Sequence, residues 1–144
     1  MNLGRLNHVG VATPSIETSV ALYRDFLGAT RIHAAFDLPA QGVRVCFVDP
    51  GVPGEGGSQI ELIEPLGDAS PLHAFLAKNP AGGQHHVCFE VPDIHQAKAE
   101  MEAKGARVLG EPRIGAHGTL VIFVHPRDMG GVLVELMETP KETH

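Results

Sequence analysis

Two histidines and two glutamates stand at matching places in the two halves of this 144-residue chain. His8 and His86 lie in apolar runs that open the halves, and Glu61 and Glu135 lie in apolar runs that close them. Imidazole and carboxylate ligands together suit borderline divalent ions such as Co²⁺, Ni²⁺, Zn²⁺, Mn²⁺ and Fe²⁺. Any one of these side chains alone is more typical of a half-buried polar residue on a strand. Their recurrence in both halves favours a metal site.

The sequence around these residues also repeats. At one constant offset the matched pairs are His8 and His86, Pro14 and Pro92, and Ile16 and Ile94. Residues 56–64 are then echoed by residues 130–138, at a slightly shorter offset that loop deletions explain. Self-similarity of this kind indicates that one small structural module is used twice.

Each half has the pattern of one strand, one helix and three further strands. In the first half we predict strands over 6–12, 30–36, 42–48 and 59–64, and a helix over 15–27. In the second half we predict strands over 84–91, 107–110, 119–125 and 132–138, and a helix over 93–104. Ser15 and Asp93 are suitable N-caps for the helices, and Gly28 and Gly105 are suitable stops.

We expect one domain that spans residues 1–144 and contains both repeats. Its parts are module 1 over about 5–66, a connecting segment with a helix over 67–83, and module 2 over about 84–139. A Gly/Pro-rich turn over 49–57 and a frayed polar tail over 139–144 are also predicted. The fold class is α+β, with two βαβββ modules that form an open eight-stranded cup.

Alternation along the strands predicts which side chains share a face of the sheet. In the first strand, Val9 and Val11 face the helix, so the histidine before them faces the opposite side. The same alternation places four polar side chains on the concave side, namely His8, Glu61, His86 and Glu135. His85 falls on the helix side and is therefore not a ligand.

Composition excludes several other functions. The net charge of −6 and the lack of a long basic cluster argue against nucleic-acid binding. No apolar run approaches the roughly 18 residues of a membrane span, and the N-terminus does not resemble a signal peptide. Cys46 and Cys88 each lie mid-strand without paired spacing, which is typical of reduced thiols. We therefore expect a cytoplasmic protein without nucleic-acid or membrane partners.

The chain resembles the vicinal-oxygen-chelate superfamily, in which paired βαβββ modules hold one metal ion. Within it, the sequence is most similar to the methylmalonyl-CoA epimerase family. The histidine-strand motif is common to the superfamily. Two blocks are more specific to the epimerases: SPLHAFLAKNPAGGQHHVCFEV at 70–91, and IGAHG at 114–118 followed by HPRDMGGVLVEL at 125–136. The resemblance covers most of the chain.

The resemblance implies a metal-dependent epimerisation of methylmalonyl-CoA through an enolate. It assigns the metal ligands to His8, Glu61, His86 and Glu135, with Co²⁺ ranked first. The catalytic bases would be Glu135 first and Glu61 second, since the position of a second base in one relative is Val45 here. An acyl-CoA substrate and a homodimer are the implied partners.

Three alternatives remain open at this point. A glyoxalase I would use the same four ligands and the same enolate chemistry on a glutathione hemithioacetal. A metal-free, drug-sequestering protein of the same fold would not need the four ligands, so their presence counts against it. An extradiol dioxygenase uses two histidines and one carboxylate, so Glu61 as a fourth ligand argues against that class.

Overall fold

The computed structural model describes residues 1–52 and 56–141, and the chain divides into two compact units. The first unit is His8–His85; the second is Met1–Asn7 together with the chain from His86 onward. Two predicted features, the turn over 49–57 and the tail over 139–144, fall partly outside the described residues. None of the described helices is long and apolar enough to cross a membrane.

The first unit contains the elements predicted for module 1 and a short connecting helix. They are β1 (Leu6–Ala12), α1 (Ile16–Leu27), β2 (Arg31–Ile32), β3 (Phe36–Leu38), β4 (Val43–Asp49), β5 (Gln59–Pro65) and α2 (Leu72–Lys78). From His8 onward, β1 pairs in parallel with β5. β4 is antiparallel to β5 and carries both β2 and β3 on its other edge.

Helix α1 begins and ends where local chemistry predicts. The Ser15 side chain accepts a hydrogen bond from the Thr18 N–H at 3.2 Å, which caps the first turn. Gly28 ends the helix in the left-handed conformation, with φ of 69°. The inner face of the helix buries Ile16 against Leu62 of β5, and this contact fixes the helix on one side of the sheet.

The second unit repeats the arrangement. Its elements are β6 (Gly83–Val91), α3 (Ile94–Ala103), β7 (Arg113–Ile114), β8 (Leu120–Val124) and β9 (Val134–Glu138). β6 and β9 are parallel, and β8 pairs antiparallel with β9 and β7. Asp93 caps α3 by accepting the Gln96 N–H at 3.0 Å. Ile94 of this helix is completely buried in the core of the unit.

Two predicted strands differ from the observed elements. The strand predicted over 30–36 is divided into β2 and β3, which both pair with β4. The strand predicted over 107–110 is reduced to a single bridge between Val108 and Val124, and β7 follows it. Gly110 has φ of 87° and Pro112 has no N–H to donate, so a regular strand cannot continue across them.

The connection into β6 requires glycine at one point. Gly82 has φ of 94°, and a Cβ atom there would lie 2.4 Å from the carbonyl oxygen of Ala12. The chain therefore passes directly against the end of β1 as it leaves α2. The order of the elements in the two units confirms the predicted α+β class and the two βαβββ modules.

Candidate functional site

The first unit holds one of the two predicted histidine–glutamate pairs. His8 of β1 and Glu61 of β5 lie on neighbouring parallel strands, with the imidazole Nε2 3.5 Å from a carboxylate oxygen. They are only 2% and 6% exposed. Val11 and Leu62 pack with the α1 core, so alternation places the pair on the opposite face of the sheet, as predicted.

The second unit holds the equivalent pair. His86 of β6 and Glu135 of β9 also lie on neighbouring parallel strands, with Nε2 3.3 Å from a carboxylate oxygen. Each residue is 5% exposed. Val87 and Leu136 pack in the core beneath α3, so this pair also lies on the face away from the helix. The same local arrangement therefore occurs once in each unit.

A phenylalanine accompanies each pair. Phe47 of β4 lies opposite Glu61, and its ring meets the His8 ring edge-on at a centroid distance of 6.1 Å. In the second unit, Phe123 of β8 lies opposite Glu135 in the same way. Its ring is 5.7 Å from that of the neighbouring histidine, again edge-on. The sequence repeat aligns these phenylalanines, but we did not predict their contact with the histidines.

Three further side chains considered in the sequence are His85 and the two cysteines. His85 packs its ring edge-on against Phe75 of α2, with the ring centroids 5.1 Å apart. Cys88 is completely buried and packs with Val121 and Met137. It lies opposite Glu135 on β9, with its Sγ within 4.8 Å of a carboxylate oxygen. Cys46 is likewise a buried free thiol; burial raises its pKa more than the nearby arginine lowers it.

Asp49 at the end of β4 and His125 after β8 each precede a proline. His125 stabilises a turn, because its Nδ1 accepts the Arg127 N–H at 3.1 Å. Asp49 instead joins a cross-strand network, with hydrogen bonds of 2.7 Å to both Gln59 and His33. Partial burial acts to raise the pKa of Asp49, but these hydrogen bonds and the charges of His33 and Arg31 outweigh it, and the pKa is lowered.

The donor chemistry of each pair fits a divalent metal ion. The bond from zinc to an imidazole nitrogen is about 2.0–2.1 Å long, and the bond from zinc to a carboxylate oxygen is about 2.0–2.2 Å long. Two neighbouring ligand atoms of one ion are therefore separated by about 3.0–3.4 Å. The observed separations are 3.5 Å and 3.3 Å. A direct charge-assisted hydrogen bond would be shorter, at about 2.7–2.9 Å. Buried carboxylates in proteins are paired or coordinate metal ions, so a metal ion is compatible with this environment.

Comparison with known proteins gives the family. A model of the glyoxalase/bleomycin resistance protein/dioxygenase superfamily matches residues 7–123 of the chain. The chain belongs to this superfamily. The resemblance to the vicinal-oxygen-chelate proteins is thereby confirmed, because that fold and this superfamily describe the same paired modules.

Several relatives from the superfamily align over nearly the whole chain. The ethylmalonyl-CoA/methylmalonyl-CoA epimerase of Cereibacter sphaeroides is 52% identical over 136 residues, covering 93% of this chain and 97% of that protein. The mitochondrial methylmalonyl-CoA epimerase of Homo sapiens is 50% identical over 136 residues, covering 94% and 74%. A probable lactoylglutathione lyase of Synechocystis is 30% identical over 136 residues, covering 93% and 95%.

Solved structures from the superfamily match the fold closely. A variant of the Streptomyces coelicolor methylmalonyl-CoA epimerase in complex with 2-nitronate-propionyl-CoA superposes with a TM-score of 0.86 at 34% identity, covering 97% of this chain and 100% of that one. A methylmalonyl-CoA epimerase in complex with methylmalonyl-CoA and NH4+ gives 0.85 at 35% identity, covering 96% of each chain.

Proposed function

We propose that this protein is a methylmalonyl-CoA epimerase that interconverts the 2R and 2S forms of its substrate. The observation that carries the proposal is the buried histidine–glutamate pair, which each unit presents in the same way. The identity of 52% to an ethylmalonyl-CoA/methylmalonyl-CoA epimerase supports the choice of substrate. The α-hydrogen of methylmalonyl-CoA lies between a thioester and a carboxylate, so a positioned carboxylate can remove it.

In this proposal one divalent ion, with Co²⁺ expected first, is held by the two pairs together: His8, Glu61, His86 and Glu135. When bound, the ion supplies Lewis-acid stabilisation for the charge that develops on the thioester oxygen as the proton leaves. The support is local to each unit: the donor atoms of the pairs lie 3.5 Å and 3.3 Å apart, which is close to the separation of about 3.0–3.4 Å between two ligands of one ion.

The chain's own carboxylates move the proton. Epimerisation requires that one group remove the α-proton and that a proton return on the other face of the α-carbon. We assign Glu135 as the first base and Glu61 as the second. Val45 occupies the place where one relative has an acid, and here it is a fully buried aliphatic side chain that cannot transfer a proton. Glu61 is the carboxylate beside His8 on the same face of the sheet.

Titration of the metal-free protein with Co²⁺ tests the proposed ligands. We expect one ion per chain, and we expect His8→Ala and His86→Ala each to abolish tight binding. His95→Ala is the matched control, because His95 is exposed on α3 and belongs to neither pair. Two ions per chain would show that each pair binds its own ion, and unchanged binding in either alanine variant would remove that histidine from the site.

A lactoylglutathione lyase is the second candidate, because a probable enzyme of that name is 30% identical over most of the chain. An assay with two substrates distinguishes between the two functions. We expect the protein to interconvert the isomers of methylmalonyl-CoA and to leave the hemithioacetal of methylglyoxal and glutathione unchanged. Turnover of the hemithioacetal alone would replace the epimerase proposal by the lyase.

A further inference from the structure

The two units differ on the edge strand next to the pair-bearing face. In the first unit, Phe36 of β3 lies opposite Val45 of β4. In the second unit, Arg113 of β7 lies opposite Val121 of β8. Each of these valines stands two residues before the phenylalanine that faces the glutamate of its pair. Phe36 and Arg113 therefore occupy equivalent positions, one apolar and the other cationic.

Arg113 is held close to the second pair by an aromatic ring. The guanidinium carbon of Arg113 lies over Phe123, 5.9 Å from the ring centroid. The same ring meets His86 edge-on at 5.7 Å, so one phenyl ring contacts both the guanidinium and the histidine. In the first unit the corresponding contact is between two phenylalanine rings, with centroids 6.3 Å apart.

Among the described residues, Arg113 and Arg127 lack the carboxylate partner that the other five arginines have, and of these two it is Arg113 that lies over Phe123. Ion pairs with carboxylates are made by Arg5, Arg24, Arg31, Arg44 and Arg107. Within residues 1–52 and 56–141, Arg113 makes no ion pair with a carboxylate, and its side chain is exposed. A guanidinium that lies over an aromatic ring uses its flat face for that contact, and its N–H groups remain directed outward in the plane of the fork.

The negative charge of this protein opposes the binding of an anionic substrate. The chain has a net charge of −6, and each pair contributes a buried glutamate. A cation beside the second pair reduces this repulsion and offers bidentate hydrogen bonds to an oxyanion. We propose that Arg113 is a substrate-binding residue that takes an oxyanion of the acyl-CoA, either its carboxylate or a phosphate. This inference rests on the proposed function, and it assigns the anionic part of the substrate to the second unit.

Equilibrium binding of three unreactive thioesters tests the assignment by calorimetry. Malonyl-CoA carries both kinds of oxyanion, propionyl-CoA carries phosphates alone, and malonyl-pantetheine carries a carboxylate alone. We expect Arg113→Met to weaken malonyl-CoA binding by about tenfold or more, with partial recovery in Arg113→Lys. Arg24→Met is the matched control, because Arg24 is 58% exposed and, within the described part of the chain, forms its ion pair with the exposed neighbour Asp25. It should bind all three thioesters as the wild type does.

The two partial ligands identify the oxyanion. A loss restricted to malonyl-pantetheine assigns Arg113 to the carboxylate, and a loss restricted to propionyl-CoA assigns it to a phosphate. Equal losses for both, or no loss for malonyl-CoA in Arg113→Met, would overturn the inference. In turnover of methylmalonyl-CoA, KM should rise more than kcat falls. If the wild-type protein bound none of the thioesters, the proposed function itself would fail, and this inference with it.

Discussion

At the scale of single residues, the repeated unit of chemistry is a histidine, a glutamate and a phenylalanine. The imidazole and the carboxylate are buried side by side, and the phenylalanine ring lies against the edge of the imidazole in both units. Burial of a carboxylate without compensation is unfavourable, so such a pair persists where a cation or a catalytic role requires it. Glu61 and Glu135 therefore deserve separate tests.

Glutamine substitutions separate metal binding from proton transfer. Glu61→Gln should keep much of the metal, because an amide oxygen can still coordinate. If Glu61 is a base, exchange of the α-proton from one stereoisomer should fall by at least about 10²-fold in this variant. Glu135→Gln should abolish exchange from both isomers. Metal content is measured on the same samples, and wild-type exchange in metal-loaded Glu135→Gln would remove Glu135 from the mechanism.

Asp49, which belongs to neither histidine–glutamate pair, should make the stability of the protein depend on pH. Its pKa is lowered in the folded protein, so its contribution to stability is complete above the unfolded pKa of about 3.9 and is lost as the pH falls through the folded value. Asp49→Asn should lower the free energy of unfolding by about 1 kcal/mol at pH 7. Denaturant unfolding should show this difference shrinking below about pH 4. Asp25→Asn, at an exposed site, should change little at either pH.

At the scale of elements, sequence patterns predicted the long strands and both module helices because period and caps agree there. β1 has the predicted bounds, and α1 differs only by its capping residue Ser15. The short edge strands were harder to predict from the sequence, because two or three paired residues leave no periodic signal. β7 was not predicted, because it spans only Arg113 and Ile114 and is defined by its pairing with β8.

The same distinction applies to the candidate site. Matched sequence positions gave His8, His86 and the two glutamates, because strand alternation predicts the face of each side chain. The repeat also aligned Phe47 with Phe123, but only the register of antiparallel strands places them opposite the glutamates. Contacts that depend on the pairing of distant strands cannot be obtained from local periodicity.

The connection between α2 and β6 should be sensitive to substitution at Gly82. Gly82→Ala would both place a Cβ atom 2.4 Å from the Ala12 carbonyl oxygen and force a left-handed backbone on alanine. Gly28→Ala has the same backbone problem, but its Cβ would meet nothing within 4 Å. We expect a loss of about 1 kcal/mol in the free energy of unfolding for Gly28→Ala and a clearly larger loss for Gly82→Ala. Equal losses by chemical denaturation would show that the close approach has no energetic effect.

At the scale of the whole molecule, the oligomeric state remains a prediction. Short strands form the sheet edges, and helix α1 exposes large apolar side chains, including Phe26 at 81%. Exposed edges and apolar surface favour association. We expect a homodimer, so light scattering at micromolar concentration should give twice the chain mass of 15.3 kDa. A mass of one chain would contradict the prediction.

We propose that this chain removes and returns the α-proton of methylmalonyl-CoA. Incubation of the metal-loaded protein with one stereoisomer of methylmalonyl-CoA in D₂O, with deuterium at the α-carbon followed by mass spectrometry, measures this proton transfer directly. We expect deuterium to enter as the second isomer forms, and we expect neither event with the Glu135→Gln variant. Absence of both deuterium incorporation and epimer from the metal-loaded wild-type protein would contradict the proposed epimerisation.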